Sequence, residues 1–212
     1  MARALSRKEL KPPPKQARAR EKQTAILNAA EMLVLSGALD DVSTTSIALK
    51  AGIPVGSIYR YFEDKEDILE QLYRKAYDEV ETEAAIAQKD IEPGAAFADT
   101  IQPLLDNFWH TARAHPSFVA LTRWANRHFS LWDVTPGPAS SLSGLIEQLF
   151  GRTGVELPKA REQAIMKSIV TTSSVLIDQA LEEDDDEAAK DLLKELGQLL
   201  ISYSQSFNSQ QP

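Results

Sequence analysis

Apolar residues recur at helical spacing along most of this chain. Ile26, Ala29, Ala30, Leu33 and Val34 form a stripe that predicts a helix over residues 16–36. Gly37 stands where a left-handed residue would close it. Ser43 suits the cap of a second helix, with Thr44, Ile47, Ala48 and Ala51 on one face and Gly52 as its stop. Pro54 fits the first turn of a third helix, whose apolar set Val55, Ile58, Tyr59 and Phe62 follows i, i+3, i+4, i+7. Asp64, with Asp67 three residues on, can cap a fourth helix. That helix carries Ile68, Leu69, Leu72, Tyr73, Ala76 and Val80 towards Ala87.

Beyond the break at Pro93-Gly94, helical patterns cover residues 95–114 and 116–131. Thr135-Pro136-Gly137-Pro138 reads as a loop. A helix over 139–150 follows, punctuated by Gly151, Gly154 and Pro158, and two long helices span 159–181 and 187–207. No segment alternates as a strand would, and no internal repeat is visible. The expectation is an all-α fold of about nine helices. Residues 1–15, with Pro12-Pro13-Pro14 and scattered charges, lack apolar periodicity and read as an extended or disordered arm.

Charge changes this picture from one uniform bundle to two functions. The formal net charge is −8. Residues 1–75 nevertheless carry 13 Lys/Arg against 10 Asp/Glu, a balance of +3, while residues 76–212 carry 10 against 21, a balance of −11. A basic N-terminal part on an acidic body suggests a polyanion at one end and some other task at the other. The chain has no cysteine, which excludes disulfides, thiolate metal sites and thiol redox chemistry. The basic start has no apolar segment after it, unlike a signal peptide, and no run of 18 apolar residues exists to span a membrane. A cytoplasmic protein without membrane partners is expected.

The stretch TTSIALKAGIPVGSIYRYFEDKEDIL, residues 44–69, carries the chemistry. Two short helices joined by a turn containing glycine make a helix-turn-helix. Gly52 tolerates positive φ, small Ala48 lets the helices approach, and Ile58 fills the space between them. Off the buried stripe stand Val55, Gly56, Ser57, Arg60 and Tyr61. Gly56 permits close backbone approach, Ser57 donates or accepts, and Arg60 can fork onto guanine or grip a phosphate. Tyr59 and Tyr61 each join a packing ring to a hydroxyl that can reach a phosphate. Lys65 begins the fourth helix, where its charge adds to the helix dipole and to free N–H groups. Thr45, in the first turn of the second helix, can reach a backbone or a base edge. An ordinary helical hairpin with a solvated polar face would share part of this pattern.

The residues Ser43, Ile47-Ala48, Ala51-Gly52-Ile53, Gly56-Ser57-Ile58-Tyr59, Tyr61-Phe62, Lys65-Glu66 and Ile68-Leu69 closely resemble, without gaps, the DNA-binding signature of the TetR family of bacterial transcriptional regulators. The resemblance covers roughly residues 20–72. It implies that Thr45, Val55, Gly56, Ser57, Tyr59, Arg60, Tyr61 and Lys65 lie at a DNA surface. Pro54 departs from the serine common at its position in such regulators; it keeps the helix start but lacks a capping hydroxyl, and no contact is carried onto it. The implied organisation is an arm over 1–15, a three-helix DNA-binding domain over 16–63 and a larger helical domain over 64–212, with helix 64–87 as connector. Arg18, Arg20 and Lys22 stand where they can add salt-dependent affinity for the duplex backbone.

One recognition helix contacts too few bases for useful specificity, so a homodimer on a palindromic double-stranded operator is expected. The last two helices offer the widest apolar faces, and Ile169, Leu176, Leu192, Leu196, Leu200 and Tyr203 are the candidates for a four-helix interface. The same stripes also suit an intrachain core. The middle of the chain concentrates Phe97, Phe108, Trp109, Phe118, Trp124, Phe129 and Trp132, together with His110, His115 and His128. Such rings can line a ligand cavity or fill a core. The resemblance implies a small-molecule effector site in this region, for which Phe108, Trp109, Phe118, Trp124, His128 and Phe129 are the candidates. The histidine spacings match no common metal site, so no metal and no cofactor is expected. No G-x-S-x-G, P-loop, GxGxxG or HExxH motif occurs, so no catalytic residue is assigned and an enzyme is not expected. The implied function is a ligand-released repressor; the alternative is a protein-binding adaptor built on the same helix-turn-helix.

Overall fold

The structure is a computed structural model that describes residues 17–37, 39–128 and 141–208. The arm over 1–15, the loop at Thr135-Pro136-Gly137-Pro138, and Phe129 and Trp132 lie outside the described residues. The fold is all-α, with no strand among the described residues. Its α-helices are α1 (Ala17–Leu35), α2 (Thr44–Ala51), α3 (Lys65–Lys89), α4 (Phe97–Ala114), α5 (Phe118–His128), α6 (Ser141–Thr153), α7 (Glu162–Glu182) and α8 (Asp186–Asn208). Two 3-10 helices, Leu39–Asp41 and Val55–Arg60, flank α2.

The described residues form two compact units. The first, termed the head, holds α1, α2, both 3-10 helices, α3 as far as Asp78, and the distant segment 115–128. Its core is built from Ile26, Ala30, Ile47, Ile58, Phe62, Ile68, Phe118 and Leu121, each fully enclosed. Local chemistry sets the element ends. Gly37 has φ 82 and its N–H reaches Val34 O, so α1 stops there. Ser43 and Ser46 form a reciprocal capping box that satisfies the first orphan donors of α2. Asp64 Oδ1 accepts from the Asp67 N–H at 2.8 Å, while Asp67 Oδ2 accepts from the Glu63 N–H at 2.9 Å, and α3 begins there. The membership of α5 in this unit has no local signal, because its partners lie about 90 residues earlier in the chain.

The second unit, termed the body, holds the rest of α3 from Glu79, together with α4, α6, α7 and α8. In α4, Phe97, Ile101, Leu105, Trp109 and Ala112 are buried and recur every three or four residues. Phe97 and Phe150 tie α4 to α6 with ring centroids 5.6 Å apart. Arg152 of α6 donates to Ile91 O at 3.1 Å, and its own carbonyl accepts from the Gly94 N–H at 2.8 Å. This pair fastens the Pro93-Gly94 turn. Arg113 at the end of α4 lies over the Trp109 ring at 5.3 Å and donates to Asp186 of α8 at 2.6 Å. The α4–α8 crossing is close because Gly197 lacks a side chain: a Cβ there would collide with the Gln102 carboxamide and lie 3.6 Å from Leu105 Cδ1.

That crossing separates two substitutions. Gly197→Ala displaces the far end of Gln102, which donates to Asp106 Oδ1 at 2.9 Å at an exposed site, and the helix-propensity gain of about 1 kcal/mol offsets the disturbance. Gly197→Leu also meets Leu105 and is expected to lower unfolding free energy by about 1–3 kcal/mol. Urea denaturation of both variants checks this; equal stability for the leucine variant would show that the crossing has slack.

Candidate nucleic-acid interface

The turn of the helix-turn-helix is fixed by its own backbone. Gly52 adopts φ 66, its N–H reaches Leu49 O at 3.2 Å, and the Ile53 N–H reaches Ala48 O at 3.0 Å. These two bonds form a Schellman motif, which returns the chain sharply from α2. Pro54 follows with φ −61 and no side-chain cap, as its missing hydroxyl requires.

The next element differs from expectation. Residues Val55–Arg60 form a 3-10 helix, not an α-helix. Its period of three residues replaces the period of 3.6 assumed for the stripe. Val55, Ile58 and Tyr61 then share one row, and they are half-buried, fully buried and half-buried. Gly56 and Tyr59 form a second row, Ser57 and Arg60 a third. Tyr59, placed on the buried stripe by an α-helical period, is instead 52% exposed. Phe62 remains enclosed because it follows the helix, and its N–H returns to Ile58 O at 3.0 Å.

The shorter period brings donors together on the outer rows. Arg60 is exposed and makes no ion pair among the described residues. The Tyr59 hydroxyl lies 3.3 Å from Thr44 Oγ1, so the two hydroxyls sit as a pair at the entrance of α2. Thr44 is absent from the sequence-derived set; no periodicity links positions 15 residues apart in different helices. Thr45 is exposed on α2, and Ser57 is half-buried. Lys65 is half-buried with its ammonium 3.9 Å from Glu66. The free N–H groups expected beside it are in part already used, since Asp64 and Asp67 cap that end of α3. A phosphate there would meet the lysine charge against two carboxylates.

The remaining candidates are distributed unevenly. Phe108, half-buried, and Trp109, buried, belong to the body, whereas Phe118, Trp124 and His128 belong to the head. Phe118 is fully enclosed and packs in the head core. His128 stacks on Trp124 at 4.9 Å and is exposed. Trp109 lines a body cavity of about 360 Å³ with Gln102, Asp106, His110, Lys190 and Lys194. A second body cavity of about 460 Å³ is lined by Phe150, Val155, Leu157 and Met166 beneath Glu147, Glu156, Lys159 and Glu162. No signal in the sequence pointed to this second cavity.

The dimer candidates also divide. Ile169, Leu196 and Leu200 are 4%, 0% and 8% exposed within their own chain and pack in its core. Residues 189, 193, 196, 200 and 207 are the inward stripe of α8. Leu176, Leu192 and Tyr203 remain half-exposed, and Leu199, outside the predicted set, is 52% exposed. Leu192, Leu199 and Tyr203 share one face of α8 at helical spacing.

The head of this all-α chain is thus a capped helix-turn-helix with Tyr59 and Arg60 exposed on its outer rows. Residues 26–72 match the family model described as bacterial regulatory proteins, tetR family. It is similar to an uncharacterized HTH-type transcriptional regulator of Haemophilus influenzae, with 24% identity over 95 residues, which is 45% of this chain and 49% of the relative. It is also similar to the HTH-type transcriptional repressor BepR of Brucella suis, with 42% identity over 60 residues, 28% of this chain and 29% of BepR. The chain thus spans half or less of these curated relatives. A TetR-family regulator from Streptomyces coelicolor shares the fold with a TM-score of 0.57, at 23% identity over 88% of this chain and 99% of that one. The multidrug binding protein EbrR, solved with imidazole, superposes with a TM-score of 0.56, at 20% identity over 82% and 94%. No described helix is long and apolar enough to cross a membrane, and no described cluster of histidine and acidic side chains has metal-site geometry.

Replacing Gly52 with alanine forces a Cβ into a left-handed conformation at a cost of about 1–2 kcal/mol. Open space surrounds the position, so no clash adds to that cost. Thermal unfolding checks the size; a variant as stable as the parent would mean that the turn relaxes to another geometry.

Proposed function

We propose that the chain is a cytoplasmic transcriptional repressor that binds a palindromic operator as a homodimer and releases it when a small molecule occupies the body. The observation that carries the DNA reading is the outward pairing of Ser57/Arg60 and Gly56/Tyr59 on the 3-10 helix behind the fixed Gly52 turn. Arg60 offers a planar fork that matches guanine O6/N7 or a phosphate. Tyr59, with Thr44 beside it, offers hydroxyls to the neighbouring phosphate. Gly56 is exposed, with open space where a side chain would stand, which suits close approach of its backbone to a duplex. Thr45, Val55, Ser57, Tyr61 and Lys65 complete the proposed contact surface.

Two heads must sit about one helical turn (~34 Å) apart, or a multiple of it, to read two major grooves. Leu192, Leu199 and Tyr203 of α8, with Leu176 of α7, supply the proposed contact face between copies. The repressor direction follows BepR, and a small-molecule effector follows EbrR, each by analogy. The mechanism is a population shift, in which an effector with higher affinity for the arrangement unfit for DNA lowers operator occupancy. The connector is α3, which runs from the head at Lys65 into the body beyond Glu79.

A mobility-shift titration on duplex from the chain's own upstream region tests the DNA reading. Arg60→Ala is expected to weaken binding by about 1–3 kcal/mol with unchanged circular dichroism, and to relax one operator position if the contact is to a base. Affinity equal to the parent at every salt concentration would remove Arg60 from the interface. Leu199→Glu should shift sedimentation from dimer to monomer; a stable dimer carrying that charge would place the interface on another face.

A further inference from the structure

The body holds a hollow that the proposed effector site does not use. It lies where α6 ends and α7 begins and has a volume of about 460 Å³. It shares no lining residue with the effector candidates Phe108, Trp109, Phe118, Trp124 and His128. Small-molecule sites commonly span about 300–1,000 Å³. Local sequence builds this one. Gly154 takes φ 66 and the Val155 N–H returns to Phe150 O at 3.0 Å, so α6 closes in a left-handed turn. The link 155–161 then leads into α7, and the Arg161 N–H donates to Pro158 O at 2.8 Å just before that helix. Glu147, Phe150 and Gly151 share one side of α6 at i, i+3, i+4, while Glu162 and Met166 share one side of α7 at i, i+4. All five line the hollow.

Its floor is apolar. Phe150 is 6% exposed and is held by Phe97, with ring centroids 5.6 Å apart. Val155, Leu157 and Met166 are half-buried around it. The rim is charged and unequal, with Glu147, Glu156 and Glu162 standing against Lys159, all exposed. None of these four makes an ion pair among the described residues; Glu147 accepts from the Ser143 hydroxyl at 3.4 Å. The positive end of α7 opens at the same place without a side-chain cap, but Glu162 in its first turn already answers that dipole. Gly151 leaves the mouth open, since a Cβ there would meet nothing within 4 Å.

We infer that this hollow binds a bulky organic cation whose charge is shared with aromatic rings, at a site separate from that of the proposed effector. A compact inorganic cation keeps its hydration and gains nothing from Phe150 and Met166. An anion meets three carboxylates. The Phe150 ring and the Met166 thioether both suit aromatic groups and delocalised positive charge. Exposed carboxylates attract weakly because water and salt screen them. The floor therefore supplies most of the affinity, and the rim chooses the sign of the charge.

Tetraphenylphosphonium is the probe, and tetraphenylborate, with the same rings and the opposite charge, is its control. Calorimetric titration of the full chain at low salt should give a phosphonium Kd on the order of 100 μM, as suits a ligand covered on one side. Phosphonium should slow amide exchange of residues 147–166, and borate at the same concentration should not. Gly151 lies in α6 with an ordinary helical backbone, so Gly151→Leu keeps the fold and fills the mouth. It should weaken phosphonium binding at least about tenfold without lowering the unfolding temperature. Met166→Trp, which fills the floor instead, should do the same. The combined Glu147→Gln, Glu156→Gln and Glu162→Gln variant should bind about tenfold more weakly at low salt, and the loss should shrink as salt is added. Binding unchanged in both filled variants would place the cation elsewhere and overturn the site. Equal slowing of 147–166 by borate would overturn the choice of a cation. A parent that binds no phosphonium at millimolar concentration would overturn both. DNA enters none of these measurements, so a failure of the operator reading in the mobility-shift titration leaves them standing.

Discussion

The left-handed Gly52, with the two N–H bonds that fold back onto Ala48 and Leu49, sets the direction in which the chain leaves α2. Everything that faces outward from the head depends on that direction. Ile58 enters the core between α2 and α3 because Pro54 begins the next element at the right point, and Ile58 in turn fixes which rows of the 3-10 helix point away. A side chain at Gly52 would strain the turn, and a different exit would rotate Tyr59 and Arg60 together, since a six-residue helix has no internal freedom to compensate.

Burial within the head reaches beyond its contiguous sequence. Phe118 and Leu121 close a core that α1, α2 and the start of α3 leave open, and Ser117 bonds Glu31 at its margin. A helix-turn-helix of this size has too little apolar surface to be robust alone. Borrowing α5 adds the apolar surface that the contiguous helices lack.

The body is organised by close helix approach. Gly197 brings α8 against α4, and Arg113 joins Trp109 and Asp186 across that crossing. Ala189, Leu193, Leu196, Leu200 and Phe207 are consumed inside the chain. What remains apolar and outward on α8 is the narrower face of Leu192, Leu199 and Tyr203. It flanks the inward stripe by a small rotation, which is why the apolar set looked like a single broad face in the sequence.

Local chemistry was readable from the residues alone. Ser43, Asp64, Gly37 and Gly52 marked the element ends because a cap or a left-handed turn acts over three to five neighbouring residues. The helices and most of their buried stripes followed from periodicity for the same reason. Tertiary packing decided what periodicity left open. It tightened residues 55–60 to three per turn and thereby exposed Tyr59, and it enclosed Phe118 in the head while leaving Trp109 in the body. It also turned Leu196 inward and Leu199 outward. Each of these outcomes depends on partners far away in the chain, and the free energy of burying one apolar face against another is not encoded in either face separately.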